Sequence, residues 1–428
     1  MAKRLLPTTK TQVSGHRFMR RRVEHGLIFG DVRMIHDPLG SRRRAMIFGI
    51  VAVLMISGIM GLFAWMRPNP DPGDAPILRA SDGTLYVRVG DAVHPVTNLT
   101  SARLITGSSA EPVRVGDEHL ASMSMGVPVG IVNAPSMFAP DVAAAGAAGT
   151  TASNGDDPWS VCATEGTTIV RAGNAPTPLP VGEAVLADAN ESEWVIDAHG
   201  RAKLPPPTTP EGRIIRRAIG IDSSTPRWKP PAQLVAAVKE LPPYGMPSPL
   251  PEVLRTNDGD DGVWVRTDAD TVLAVSAVEA QILLDSGAPA RDIGRAELAQ
   301  YADADPADGP NLPDIAPKWV NPSEFAVCAD AAGGGATLAP ADATAGSVEL
   351  SGDSVATHFA GLTAGSVAVD TGHGYQVVAG NGLRNPVPDA QTLEIIGVNR
   401  TVPVRWEIIS LLPEGEPLER ERALTATY

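Results

Sequence analysis

The chain has 428 residues, a net charge of −14, 39 prolines and 42 glycines, and only 4% of its residues are aromatic. Its 43% hydrophobic content is enough to build a folded core, and its length allows two or three ordinary domains. Few aromatics with abundant Pro and Gly predict short elements and many turns, and argue against long helical bundles.

Charge is split along the chain. Residues 1–44 carry eleven Lys/Arg against three acids, a net of +8, so the remainder holds −22. Such asymmetry marks different compartments or partners. The acidic part excludes nucleic acid as a partner there, because a phosphate backbone would be repelled.

In chain order, Met19, Val23 and Leu27 recur at i, i+4 and i+8 within the basic cytoplasmic segment 1–44, which predicts an amphipathic helix. Arg17, Arg20, Arg21 and Arg22 lie on or beside that helix, and Arg42, Arg43 and Arg44 border the next element. These arginines are the candidate docking residues, for anionic lipid or for a partner. Residues 45–66, AMIFGIVAVLMISGIMGLFAWM, are uncharged and long enough as a helix to cross the roughly 30 Å hydrocarbon layer. The arginines before this span place residues 1–44 in the cytoplasm and residues 67–428 outside. A cleaved signal peptide is the alternative, but the leading segment and the apolar run are both too long for one. Ala45/Gly49 and Ser57/Gly61 are small-xxx-small pairs that permit close helix packing. Residues 67–76, RPNPDPGDAP, form a stiff linker.

Four segments beyond the linker share one plan of two short strands and a short helix ending at Gly. They are Leu85–Gly107, Trp194–Gly220, Val263–Gly287 and Tyr375–Gly397. A unit of this size buries little core alone, so each must pack on a neighbour. The predicted order is repeat 1 (77–110), first half of a core (111–190), repeat 2 (191–225), a helical and Pro-rich connector (226–258), repeat 3 (259–290), second half of the core (291–372), repeat 4 (373–410) and a Pro-rich tail (411–428). The two core halves resemble each other, WSVCATEGTTIV at 159–170 against FAVCADAAGGGATL at 325–338. This likeness predicts one β-rich core with pseudo-twofold symmetry. The fold class is α+β: one transmembrane helix followed by an elongated outer domain with a central core and four small hairpin–helix repeats. Cys162 and Cys328 both fall on the outer side, where an oxidising compartment favours a disulfide between them.

Catalytic constellations are sparse. None of the six lysines follows glycine, so no Walker A motif exists, and there is no HExxH. His25 and His36 are read as solvated or helix-packed. Gly352-Asp353-Ser354 with His358 faintly suggests a hydrolase but lacks the nucleophile elbow. NDGDDG at 257–262 lacks the spaced ligands of an EF-hand and is read as an exposed turn. No metal, cofactor or catalytic residue is expected.

Residues 9–37, TKTQVSGHRFMRRRVEHGLIFGDVRMIHD, resemble the opening of the EccB family of type VII (ESX) secretion machines. Pro95-Val96-x-Asn98-Leu99-x-Ser101-Ala102-Arg103-Leu104 is similar to that family's first repeat. The resemblance implies a non-enzymatic scaffold subunit of an inner-membrane core complex, with a cytoplasmic N-terminus and a periplasmic C-terminal domain. It further implies self-association through the outer domain and assembly with the motor ATPase EccC, with EccD and EccE, and with the mycosin protease. It implies a core disulfide as well. A membrane-anchored cell-wall-binding module and an extracytoplasmic ATPase are the competing readings.

Overall fold

A computed structural model of the chain describes residues 9–30, 32–33, 38–65, 69–136, 138, 158–164, 166–256, 262–363 and 365–427. The chain divides into two compact units, one up to Pro70 and one from Asp71 to Tyr428.

The described residues of the first unit form two helices. Lys10–Phe29 starts at a capping box, in which the Gln12 backbone N–H donates to Thr9 Oγ1 and the Thr9 N–H to Gln12 Oε1. It stops at Gly30, whose φ of 70° suits a residue without Cβ. Pro38–Trp65 is the apolar helix, and its stretch Arg42–Phe63 is long and apolar enough to cross a membrane. It begins earlier than the uncharged run, so Arg42, Arg43 and Arg44 occupy helical turns rather than a preceding loop. Arginine is a good helix former, and proline is well placed at a first turn.

The second unit contains four copies of one module, each richer than the hairpin and helix read from sequence. Every copy runs through three antiparallel strands, a helix, a return strand parallel to the first strand, a second short helix, and a segment pairing parallel to the third strand. In repeat 1 the strands are Ile77–Arg79, Leu85–Val89 and Ala92–Val96, with returns at Val113–Arg114 and Ser124–Met125. Repeat 2 uses Glu183–Ala189, Ser192–Ile196 and Arg201–Lys203, with returns at Arg227–Trp228 and an isolated bridge at Glu240. Repeat 3 uses Val253–Thr256, Val263–Arg266 and Thr271–Val275, with returns at Ala290–Ile293 and Ala302–Asp303. Repeat 4 uses Val367–Asp370, Tyr375–Val378 and Arg384–Val387, with returns at Val402–Pro403 and a bridge at Glu414. The return strands span two to four residues and carry no readable alternation, which is why pattern alone does not show them.

The first helix of each module has a side-chain N-cap. Asn98, Thr209, Ser276 and Asp389 accept from the N–H of Ser101, Gly212, Glu279 and Thr392. Two of these helices are C-capped by a left-handed glycine, Gly107 or Gly397, and the other two are followed by one, Gly220 or Gly287, a residue past the C-caps Ile219 and Ser286.

Between the repeats lies a seven-stranded sheet. Its spatial order is Val348–Glu349, His358–Ala360, Thr167–Ala172, Trp159–Thr164, Ala326–Ala329, Gly335–Leu338, Thr177–Pro178. The central antiparallel pair places Cys162 opposite Cys328, on the local twofold. Each half also lends strands to the other. Thr177–Pro178 pairs with the second-half hairpin, and His358–Ala360 with the first-half hairpin. Lys318–Trp319 pairs with repeat 2, and Phe138 bridges to Ser366 of repeat 4. At Gly361 (φ 113°) a Cβ would lie 1.7 Å from the Ala172 carbonyl oxygen, so only glycine permits this approach.

Apolar burial shows how the modules pair. Repeats 1 and 4 share one cluster (Ile77, Val87, Leu104, Val377, Leu393, Ile396), and repeats 2 and 3 share another (Leu186, Ile215, Val253, Val265, Ile282, Leu283). The largest cluster joins the central sheet to repeats 2 and 4 through Trp159, Phe359, Leu234 and Ile408. The Pro-rich tail packs along its described residues 411–427: Leu411, Leu412, Leu418 and Ala423 are buried. Arg420 Nε donates to the Ile105 carbonyl, and Ala426 bridges to Val129, so this segment ties repeat 4 to repeat 1.

Candidate assembly surfaces

The candidate docking residues Arg17, Arg20, Arg21 and Arg22 sit on the Lys10–Phe29 helix and are exposed. Arg20 pairs with Glu24 at 2.9 Å, an exposed i,i+4 contact of little energetic weight. Arg22 Nε donates to the Val32 carbonyl at 3.1 Å. Phe18, Met19, Val23 and Leu27 are each more than half exposed, with Leu27 at 82%. This helix therefore presents cations and an uncovered apolar stripe together. His25 is buried and tilts against Phe29, while His36 lies outside the described residues. Arg42, Arg43 and Arg44 are exposed on the first turns of the long helix.

In the outer unit, Cys162 and Cys328 form a disulfide across 166 residues of sequence. Both are fully buried, beside Ile169 and Ala336. Ser354 Oγ donates to the Ala356 carbonyl, and His358 Nδ1 meets Thr357 Oγ1, so each side chain is engaged locally. Residues 257–261 of the acidic turn lie outside the described residues. Among the described residues, no group of three or more His, Cys, Asp or Glu is arranged to hold a metal.

Two arginine clamps went unread in the sequence, one half-buried (Arg201) and one buried (Arg384). Arg201, in the third strand of repeat 2, donates from Nε to the Val238 carbonyl and pairs with Glu240. Arg384, at the same place in repeat 4, donates from Nε to the Leu412 carbonyl and pairs with Glu414. Burial depresses the Arg201 guanidinium, and Glu240 partly offsets this. The available signal was an Arg after a turn Gly in both repeats, followed about thirty to forty residues later by Glu. Glu193 is a third node, held by Arg216 and Arg227. Burial works to raise its carboxyl, but the hydrogen bonds and charges of Arg227 and Arg216 outweigh that and hold it below the usual carboxylate range.

Among the described residues, the clefts that open on this unit include three beside the core and repeat 2. One, of about 660 Å³, runs beside Trp159 and the Arg400–Arg405 segment, and another, of about 410 Å³, beside Trp228 and Lys229. The third is a cup of about 110 Å³ on repeat 2, containing Glu183, Asp197, Asp314 and Tyr244. Burial there pushes the Tyr244 hydroxyl up to about 12, helped by the charges of Asp197 and Asp314.

Against known families, residues 5–427 match the family described as "Type VII secretion system ESX-1, transport TM domain B", EccB. The chain belongs to the EccB family. Among curated EccB relatives, it is 28% identical to "ESX-3 secretion system ATPase EccB3" of Mycolicibacterium smegmatis, over 98% of this chain and 90% of that protein. It is 27% identical to "ESX-1 secretion system ATPase EccB1" of Mycobacterium tuberculosis, over 97% and 94%. Among solved structures, it matches a chain of "an intact ESX-5 inner membrane complex" with a TM-score of 0.64 and 26% identity, covering 99% of this chain and 96% of that one. It also shares its fold with the "EccB3 dimer from the ESX-3 core complex", at a TM-score of 0.64 and 24% identity over 82% of this chain.

Proposed function

We propose that this EccB-family chain is a structural subunit of a type VII secretion inner-membrane complex, organising the periplasmic part of that assembly for protein export. The observation that carries the reading is the match of nearly the whole chain, span and outer unit together, to a chain of an intact ESX-5 inner membrane complex. The layout supports it. A basic arm and an apolar helix make up the first unit, and the second is a packed body whose conspicuous polar groups hold modules together. The charge split supports a cytoplasmic arm and a periplasmic outer unit. By this reading the partners are EccC, EccD, EccE and the mycosin protease, with self-association through the outer unit. Arg17, Arg20, Arg21, Arg22, Arg42, Arg43 and Arg44 dock the arm on partners or anionic lipid. By this reading the outer unit divides into repeats at 77–110, 191–225, 259–290 and 373–410 around core halves 111–190 and 291–372, and the paired return strands support drawing each repeat wider.

The names of the relatives favour a second reading, ATP hydrolysis. The sequence offers no Walker A lysine for it. One experiment separates the two. In a strain lacking the chain, the native membrane particle collapses to smaller species, and re-expressing the chain restores it. A particle of unchanged size without the chain, with ATP hydrolysis by the purified chain, would favour the enzyme.

A further inference from the structure

The arm helix Lys10–Phe29 carries five cations, Lys10, Arg17, Arg20, Arg21 and Arg22, against the one acid Glu24. At about 100° per residue, Met19, Val23 and Leu27 fall within an arc of about 80°. Arg20 borders this arc on one side and Arg22 on the other, while Arg17 and Arg21 lie on the far side of the helix. The three apolar side chains are 56%, 57% and 82% exposed, so no described residue covers the stripe. Val32 returns beside Gly26, where an added Cβ would lie 2.9 Å from Val32 Cγ1, and is itself half-exposed, so it widens the apolar surface. A narrow apolar stripe edged by arginines on both sides suits a lipid interface. The stripe sinks between acyl chains while the long cationic side chains reach back to the phosphates.

The tether decides where the stripe can go. Eight residues, 30–37, join Phe29 to Pro38 at the start of the apolar helix. Fully extended they reach about 28 Å. The arm is therefore held close to the point where that helix, with Arg42, Arg43 and Arg44 in its first turns, meets the bilayer. The surface always within reach is the cytoplasmic leaflet. Its anionic lipids complement a helix with five cations and one acid, a net charge of +4.

We infer that the arm helix lies in the plane of the cytoplasmic leaflet, with Met19, Val23 and Leu27 below the headgroups and Arg20 and Arg22 at the lipid phosphates. Arg17 and Arg21 then face the cytoplasm. This rests on the cytoplasmic placement of the arm proposed above, and it names anionic lipid as what the stripe docks on.

The test is depth-dependent quenching on the full-length chain reconstituted into vesicles. A fluorescent label is attached through Leu27→Cys on the stripe or, in a second protein, through Arg17→Cys on the far side. Cys162 and Cys328 are bonded to each other, so no other thiol takes the label. The quencher is a phosphatidylcholine brominated on its acyl chains. With about 30 mol% phosphatidylglycerol in the vesicles, the label at position 27 is quenched at least about threefold more than the label at position 17, and the contrast fades in phosphatidylcholine alone. Met19→Ser with Val23→Ser abolishes the contrast while the chain still inserts. Equal quenching at the two positions, no quenching in either vesicle, or the same contrast in both vesicles would overturn the proposal. A label at position 27 that is unquenched in vesicles but shielded from aqueous iodide in native membranes would overturn it in favour of a protein groove. Collapse of the native particle tests the scaffold role separately, so a quenched arm beside an unchanged particle would count against that role alone.

Discussion

Glu193 shows how single charges hold these small modules together. It stands in the second strand of repeat 2 and receives Arg216 from the helix and Arg227 from the return strand. Because its folded carboxyl titrates below its ordinary value, it contributes stability that is complete above the unfolded pKa near 4.5. That contribution is lost as pH falls through the lower folded value. The melting temperature of the chain should therefore fall on acidification below about pH 4.5, and Glu193→Gln should flatten this dependence while lowering stability at neutral pH. Thermal scans of both proteins from pH 7 to pH 3 check this, and parallel curves would exclude Glu193 as the cause. None of this was legible beforehand. Pairing Glu193 with Arg227 requires knowing that the return strand doubles back beside the first strand.

At the scale of elements, legibility followed length and punctuation. The apolar helix was visible from its uncharged length, the arm helix from its i, i+4, i+8 spacing, and the four repeat helices from the glycines that follow them. First strands such as Ile77–Arg79 and returns such as Val402–Pro403 were not, since their pattern appears only in their pairing. The packing of residues 411–427 was hidden for a related reason: Leu418 and Ala423 are isolated among prolines and charges, and only a neighbouring module shows why they are apolar. The arm helix carries its own prediction. Replacing Arg20, Arg21 and Arg22 with Glu should release the chain's membrane partners while its own insertion persists, because the apolar helix is unchanged. Membrane fractionation and co-purification read both, and normal partner recovery would exclude the arm as a docking element.

At the scale of the molecule, the outer unit behaves as two similar halves that have exchanged strands. The pseudo-symmetry of the core was foreseeable from the likeness of residues 159–170 and 325–338. The exchange was not, because strands two or three residues long name no partner. The Cys162–Cys328 bond crosses the centre of this arrangement and closes a loop of 166 residues. Chain-entropy reasoning makes it worth about 3–5 kcal/mol. Cys162→Ser or Cys328→Ser should lower the midpoint of denaturant unfolding accordingly, and an unchanged midpoint would show that the exchanged strands alone hold the halves.

A subunit that acts by holding an assembly together must be recovered with that assembly. Affinity purification of the tagged full-length chain from mild-detergent membranes, with native sizing and mass spectrometry, shows whether it is. The expected result is a very large particle containing a motor ATPase and a many-span membrane protein. A lone monomer or dimer, recovered again after cross-linking, would contradict it.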